Sequence, residues 1–408
     1  MSNLKLGLLG NVNCYPYHVA KLLRGMGWEV LLHVDAPAGE TLHRPEATDP
    51  SVGPEYPDWI REDSALRLRR VRLFPPLFGR EVLSRLRACD AVILNGLAHG
   101  FGAYLPRSIP SVALFSGADL DVMGDRTAAA NRLARTSGLK SKFRAAATLA
   151  SVELHRRGVA HASMFTYFPR GMVPSGDTIL ESIFHGRPVV RFEHCHVVTD
   201  GIGYAPPPEN ARVRVFNLTR FLWKKPLPLG ATAEESKGND IMVRGLALYR
   251  RRFGTPLDVH FVEKGLHVGE TKALLRELGV EDLVTWHAEM AFPAFLEQCR
   301  ASDIIFEQLG DHVFTGGYYP MLMGRPVIGN GRPEIMQRFT GAVSPICQAT
   351  TPEEVCSWLA RLVPDKGLRR TTGLASRAYV LAHLDLRHEA RFIDEHLRTE
   401  VLRRQGRR

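Results

Sequence analysis

The chain has 408 residues, 45% hydrophobic and 24% charged, a length that implies about two domains and a core needing no disulfide or metal staple. Its 36 Gly and 26 Pro exclude a disordered, collagenous or coiled-coil chain, and no apolar run reaches the ~18–20 residues of a bilayer span. Lys and Arg number 53 against 43 Asp and Glu, a net charge of +10; that field suits a phosphorylated ligand or anionic lipid, while the absence of interleaved aromatics argues against nucleic acid.

The N-terminus opens into a strand-like run, Leu4–Leu9, without the order of a signal peptide. Cysteines 14, 89, 195, 299, 347 and 356 are scattered without CxxC pairing, which reads as reduced thiols. The expected location is the cytoplasm, with the basic charge favouring a peripheral position at the inner membrane face.

Strand and helix periods alternate along the chain. Leu4–Val12 is an apolar run; Val19, Leu22, Leu23 and Met26 follow at helical spacing; Glu29–Val34 is β-like again. Further strands are expected at Ala91–Leu94, Ser111–Phe115, Ser163–Phe168 and Pro188–Phe192. The stretch Gly201–Asn210 (GIGYAPPPEN) reads as a connection. A second series follows: strand Arg212–Asn217, helix Asp240–Phe253, strand Asp258–Val262, helix Glu270–Leu278 and strand Leu283–His287. Helix Phe292–Cys299, strands Asp303–Gln308 and Pro326–Gly329, and helices over the last ~45 residues complete it. Parallel strands need helical crossovers, so the pattern predicts α/β architecture. Two Rossmann-like domains in tandem are expected, 1–205 and 206–380, with an interdomain cleft as the ligand site. Residues 381–408 form a C-terminal helix crossing back to the first domain, and a basic tail.

The second half carries the richest constellation. Arg220 ends a strand-like run, and Ser236-Lys237-Gly238-Asn239-Asp240 opens a helix. An Arg fork, a Lys point charge and helix-start amides can converge on phosphate oxygens. Downstream, the strand ending Phe306-Glu307-Gln308 leads to Gly316-Gly317-Tyr318-Tyr319 and then to Met323-Gly324-Arg325-Pro326-Val327-Ile328. Backbone amides at Gly316 and Gly317 can approach an anion closely because no Cβ intervenes.

Over residues 210–350 the chain resembles the retaining nucleotide-sugar glycosyltransferases of family 4, which have the GT-B fold. Arg220, Lys237-Gly238, Asp303 and Met323–Ile328 match that family's pattern in order. The resemblance implies that Arg220 and Lys237 hold the donor diphosphate and stabilise the departing nucleotide, so that no metal or cofactor is needed. It implies that Gly316, Gly317 and the helix opening at Tyr318 and Tyr319 cradle phosphate. The family's two glutamates, eight residues apart, fall on Asp311 and Tyr319; Asp311 then faces the sugar, with Glu307 as the substitute if the pairing slips by four residues.

In the first half, Gly10-Asn11 lies between strand and helix, where that family places a loop near the donor phosphates. His99 and Asp119, in loops beyond two later strands, are candidates for the sugar or acceptor side. His194-Cys195-His196 resembles a metal cluster, but adjacent strand side chains alternate faces, and no metal is expected. Glu181–Val190 repeats an ExxxxGxPVV spacing that a helix–turn–strand unit explains. GxSxG, Walker and HExxH motifs are absent. The implied activity is a hexosyltransferase-type transfer of sugar from a nucleotide-diphosphate sugar to a hydroxyl on a glycan, a lipid-linked intermediate or a small molecule. A non-catalytic scaffold of the same fold, or a nucleotide-sugar epimerase, are the alternatives.

Overall fold

The structure is a computed structural model that describes residues 4–34, 43–53, 55–63, 75–225, 227, 235–311 and 314–406. Part of the basic segment 61–87 and the last two residues of the basic tail therefore lie outside the described residues. The chain divides into two compact units, one built from 1–168, 174–194 and 387–408, the other from 169–173 and 195–386.

The first unit is wound around a parallel sheet of seven strands: β1 (Lys5–Leu9), β2 (Glu29–Val34), β3 (Ile60–Glu62), β4 (Ala91–Asn95), β5 (Ser111–Leu114), β6 (Met164–Tyr167) and β7 (Val190–Glu193). Their order is β3-β2-β1-β4-β5-β6-β7. Helices cover both faces, so the central strands read as unbroken apolar runs rather than alternating ones; Ala91–Asn95 is buried at every position. The C-terminal helix Leu386–Gln405 packs on this unit. Ala390, Ile393, Leu397 and Val401 are buried along it. The Trp28 indole donates to Asp394 Oδ1 at 2.6 Å, and Arg398 donates to the Met26 carbonyl at 2.9 Å.

The second unit holds a parallel sheet of six strands: β8 (Arg214–Asn217), β9 (Asp258–Val262), β10 (Val284–His287), β11 (Ile304–Phe306), β12 (Val327–Gly329) and β13 (Cys347–Gln348). The order is β10-β9-β8-β11-β12-β13. Its core is lined by Val215, Val259, Phe261, Ile304, Phe306 and Ile328 from the strands and by Met242, Val243 and Leu246 from helix Asn239–Phe253. Helix Pro352–Leu362 begins with a capping box in which Thr351 and Glu354 satisfy each other's backbone amides.

Gly201–Asn210, expected as a connection, lies within the second unit. The buried Arg325 guanidinium donates to the carbonyls of Ala205 (2.8 Å) and Pro206 (3.1 Å), and Ala205 N donates to Met323 O at 3.0 Å. Pro206, Pro207 and Pro208 have no amide to donate, so carbonyls carry much of the fixing of this segment. No helix among the described residues is long and apolar enough to cross a membrane.

Candidate active site

In an open parallel sheet the ligand crevice lies outside the carboxyl ends of two neighbouring strands whose connections leave in opposite directions. In the second sheet those strands are β8 and β11. Arg220 lies just past the end of β8, and Glu307 directly follows β11.

A polar network fixes the backbone here. Asn217 Oδ1 accepts from the Thr219 amide (3.3 Å) and hydroxyl (2.9 Å); Asn239 Nδ2 donates to Thr219 Oγ1 (3.0 Å), and Asn239 Oδ1 accepts from Leu222 N (3.0 Å). Lys237 N donates to Leu222 O at 2.7 Å, while Lys237 O accepts from the amides of Leu309 (2.9 Å) and Gly310 (3.2 Å). The Lys-Gly pair at this helix start has a steric cause. Gly238 has φ +63°, and a Cβ there would lie 2.6 Å from Gly310 N; one on Gly310 would lie 2.0 Å from Ser236 O. Only two backbones without side chains can pass so closely.

The charges follow from burial. Lys237 is 9% exposed and Glu307 is 5% exposed. Desolvation pushes the Lys237 ammonium below the usual lysine range, the Glu307 charge opposes that shift, and the nearby Arg220 adds to it. Desolvation likewise pushes the Glu307 carboxyl up, against the pull of Lys237. Arg220 itself is exposed, 3.9 Å from Glu235. Glu307 Oε2 accepts from Gln308 N at 2.7 Å, and its Oε1 faces the glycine loop, 3.7 Å from where a Gly316 Cβ would stand. A Cβ on Gly317 would lie 2.4 Å from the Phe314 ring. Among the described residues, the Lys237 ammonium and the amides of Gly316 and Gly317 have no hydrogen-bond partner. Such a set can hold a dianion: two cations, two free amides and a carboxyl that accepts a hydroxyl proton.

Thus Arg220, Lys237, Glu307, Gly316 and Gly317 gather at one switch point. Asp311 is exposed and turned toward Arg332, 3.7 Å away, which also donates to its carbonyl at 3.0 Å. Tyr318 is fully buried against Phe314, its hydroxyl 3.9 Å from Met336 Sδ. Tyr319 is half-buried and meets Phe292 edge-on at 5.1 Å. Sequence reasoning missed Thr219 and Glu235, which carry no motif of their own.

In the first sheet the switch point lies between β1 and β4, and Asn95 is its hub. Asn95 Oδ1 accepts from Val12 N (2.8 Å); its Nδ2 donates to Leu114 O (3.0 Å), Ser116 Oγ (3.1 Å) and Asp119 Oδ2 (3.3 Å). Gly10 has φ +90°, and a Cβ there would lie 2.2 Å from Asn95 O. Asn11 Oδ1 accepts from Tyr17 N in the first turn of the following helix at 2.9 Å, and its Nδ2 donates to His43 O at 2.8 Å. Asp119 is buried and accepts from Ser116 N at 2.8 Å; burial pushes its carboxyl up to about 7. His99 is not at the surface. Its ring is fully buried between Phe115 (4.6 Å) and His155 (4.9 Å), with Nδ1 donating to Gly96 O at 2.8 Å, and burial pushes it down to about 4.

No protein-family model matches the chain, and no curated protein matches it. Solved structures do. Sucrose-phosphate synthase from Thermosynechococcus elongatus superposes with TM-score 0.60 at 12% identity, covering 97% of this chain and 99% of that one. Anabaena HepE in complex with UDP and glucose gives TM-score 0.61 at 16% identity, covering 97% and 100%. An α-glucosyltransferase bound to UDP and a 13-mer DNA gives 0.59 at 10%, covering 98% and 100%.

The fold is GT-B.

At these identities the likeness is one of architecture. The two parallel sheets, of seven and six strands, are its two Rossmann-like domains.

Proposed function

We propose that this GT-B protein transfers a sugar, with retention, from a nucleoside-diphosphate sugar to a hydroxyl acceptor. The observation that carries the reading is Lys237, a largely buried lysine whose ammonium has no hydrogen-bond partner among the described residues, beside Arg220, Glu307 and the amides of Gly316 and Gly317. A buried charge without a hydrogen-bond partner is costly, and a bound diphosphate removes that cost. The comparison proteins crystallised with UDP, one of them together with glucose, support the donor class.

In this reading Lys237 and Arg220 neutralise the negative charge that develops on the leaving diphosphate, the role a divalent ion plays elsewhere. Gly316 and Gly317 donate amides to phosphate oxygens. Glu307, whose carboxyl burial keeps near its protonated form, accepts and donates at the sugar hydroxyls, while Asp311 remains a surface group. The acceptor is a hydroxyl on a glycan, a lipid-linked intermediate or a small molecule.

The test is turnover of a matched donor and acceptor in the presence of a chelator, with the anomeric configuration of the product read by NMR. Lys237→Ala loses transfer and Arg220→Ala lowers it about tenfold, each keeping the native melting profile. Near-normal turnover in both variants would overturn the site. A protein that binds donor but never transfers sugar would be a nucleotide-binding scaffold.

A further inference from the structure

We propose that the helical pair Arg126–Arg135 and Leu139–His161 of the first unit is a docking surface for an anionic lipid bilayer. From Arg126 to Val152 the chain carries six Lys and Arg and no Asp or Glu. Arg126 pairs with Glu153. Arg132, Arg135, Lys140, Lys142 and Arg144 are exposed and have no acidic partner among the described residues.

Two large apolar side chains stand among these cations. Leu139 is 90% exposed and Phe143 is 76% exposed. They are four residues apart on one helix, so they share a face. The long helix is divided in two by burial. Its C-terminal part packs Val152, His155, Gly158 and Val159 into the unit, whereas 139–144 are all exposed. The portion that projects is the portion that carries both the cations and the apolar pair.

Apolar side chains ringed by Lys and Arg match the chemistry of the headgroup boundary. Leu and Phe enter the acyl region, while the long basic side chains reach back to lipid phosphates. The alternatives fit less well. A second copy of the chain would bring like charges face to face. A nucleic-acid strand needs planar stacking partners, and this surface offers one aromatic ring.

The experiment is flotation of the full chain with vesicles of equal parts phosphatidylglycerol and phosphatidylcholine, and with phosphatidylcholine alone. Binding to the anionic vesicles is expected, about tenfold or more tighter than to the neutral ones. The pairs Leu139→Ser/Phe143→Ser and Lys140→Glu/Lys142→Glu should each weaken it about tenfold or more. Because these side chains are exposed, circular dichroism and melting temperature should stay at the wild-type values. Absence of binding to the anionic vesicles, or binding that neither pair of substitutions changes, would overturn the proposal. So would a DNA or RNA strand bound as tightly and lost in the same variants. The assay contains no nucleotide sugar, so its outcome is separate from that of the transferase reading.

Discussion

The two switch points are built alike and filled differently. In the first sheet the groups beyond β1 and β4 satisfy one another: Asn95 bonds to both sides of the crevice, Asn11 accepts from the Tyr17 amide, and Asp119 and Asn95 share a hydrogen bond. In the second sheet the buried side chains of Asn217, Thr219 and Asn239 bond to one another and to the Leu222 amide. Lys237 and the Gly316–Gly317 amides have no partner among the described residues. Saturated polar networks rigidify a scaffold. Held but unsatisfied cations await an anion. This contrast is what the proposed function rests on when it puts the donor on the second unit and leaves the first unit's polar residues to its own architecture.

The contrast can be broken by substitution. The largest effect is expected for Lys237→Ala, a loss of about 10²–10³ in turnover, measured as kcat/KM against a donor titration. The first unit is addressed by Asp119→Asn. The carboxyl is raised from 3.8 to about 7 by burial, so its protonated form is the one the fold prefers. Stability is greatest below about 4, and the wild type loses stability relative to the variant as pH rises from about 4 to about 7, by roughly 3–4 kcal/mol. Denaturant midpoints across that range check the sign, and a flat difference would contradict the burial of a charged carboxyl.

Gly310→Ala should cost about 1–3 kcal/mol, because the new Cβ meets Ser236 O at 2.0 Å; the displaced Lys237 loop should also weaken donor binding, which a titration separates from the loss of stability. Arg220→Ala, an exposed cation, should lower turnover about tenfold. Asp311→Asn should change it less than about threefold, since its carboxylate is solvated and turned toward Arg332. A larger loss at Asp311 than at Glu307→Gln would reverse the assignment of the acidic group.

Much of the fold was legible because buried parallel strands announce themselves. Glu29–Val34 and Asp258–Val262 are rich in β-branched, Leu and aromatic residues and occur with the expected bounds. The edge strands β3 and β13 did not, since three and two residues leave no period to read. Helix Leu139–His161 also escaped, because its exposed first half has no apolar stripe to mark it. At the site, Arg220, Lys237 and the glycine pair were readable from their order along the chain. The place of Glu307 beside the glycine loop depends on how 308–316 is spaced, which no motif sets. His99 was expected in a loop beyond a strand, as a candidate for the sugar or acceptor side, and its ring lies in the core against Phe115 and His155, the latter from a helix far along the chain.

The most direct test of the donor site is a thermal-shift panel of UDP-, GDP-, dTDP- and ADP-sugars on the wild type and on Lys237→Ala, with and without a divalent ion. At about 100 times its dissociation constant a ligand should stabilise the fold by about 2.7 kcal/mol. The expected result is a shift with one nucleotide base, independent of metal and lost in Lys237→Ala. A shift of the same size in the variant, or no shift with any donor on folded protein, would contradict the account.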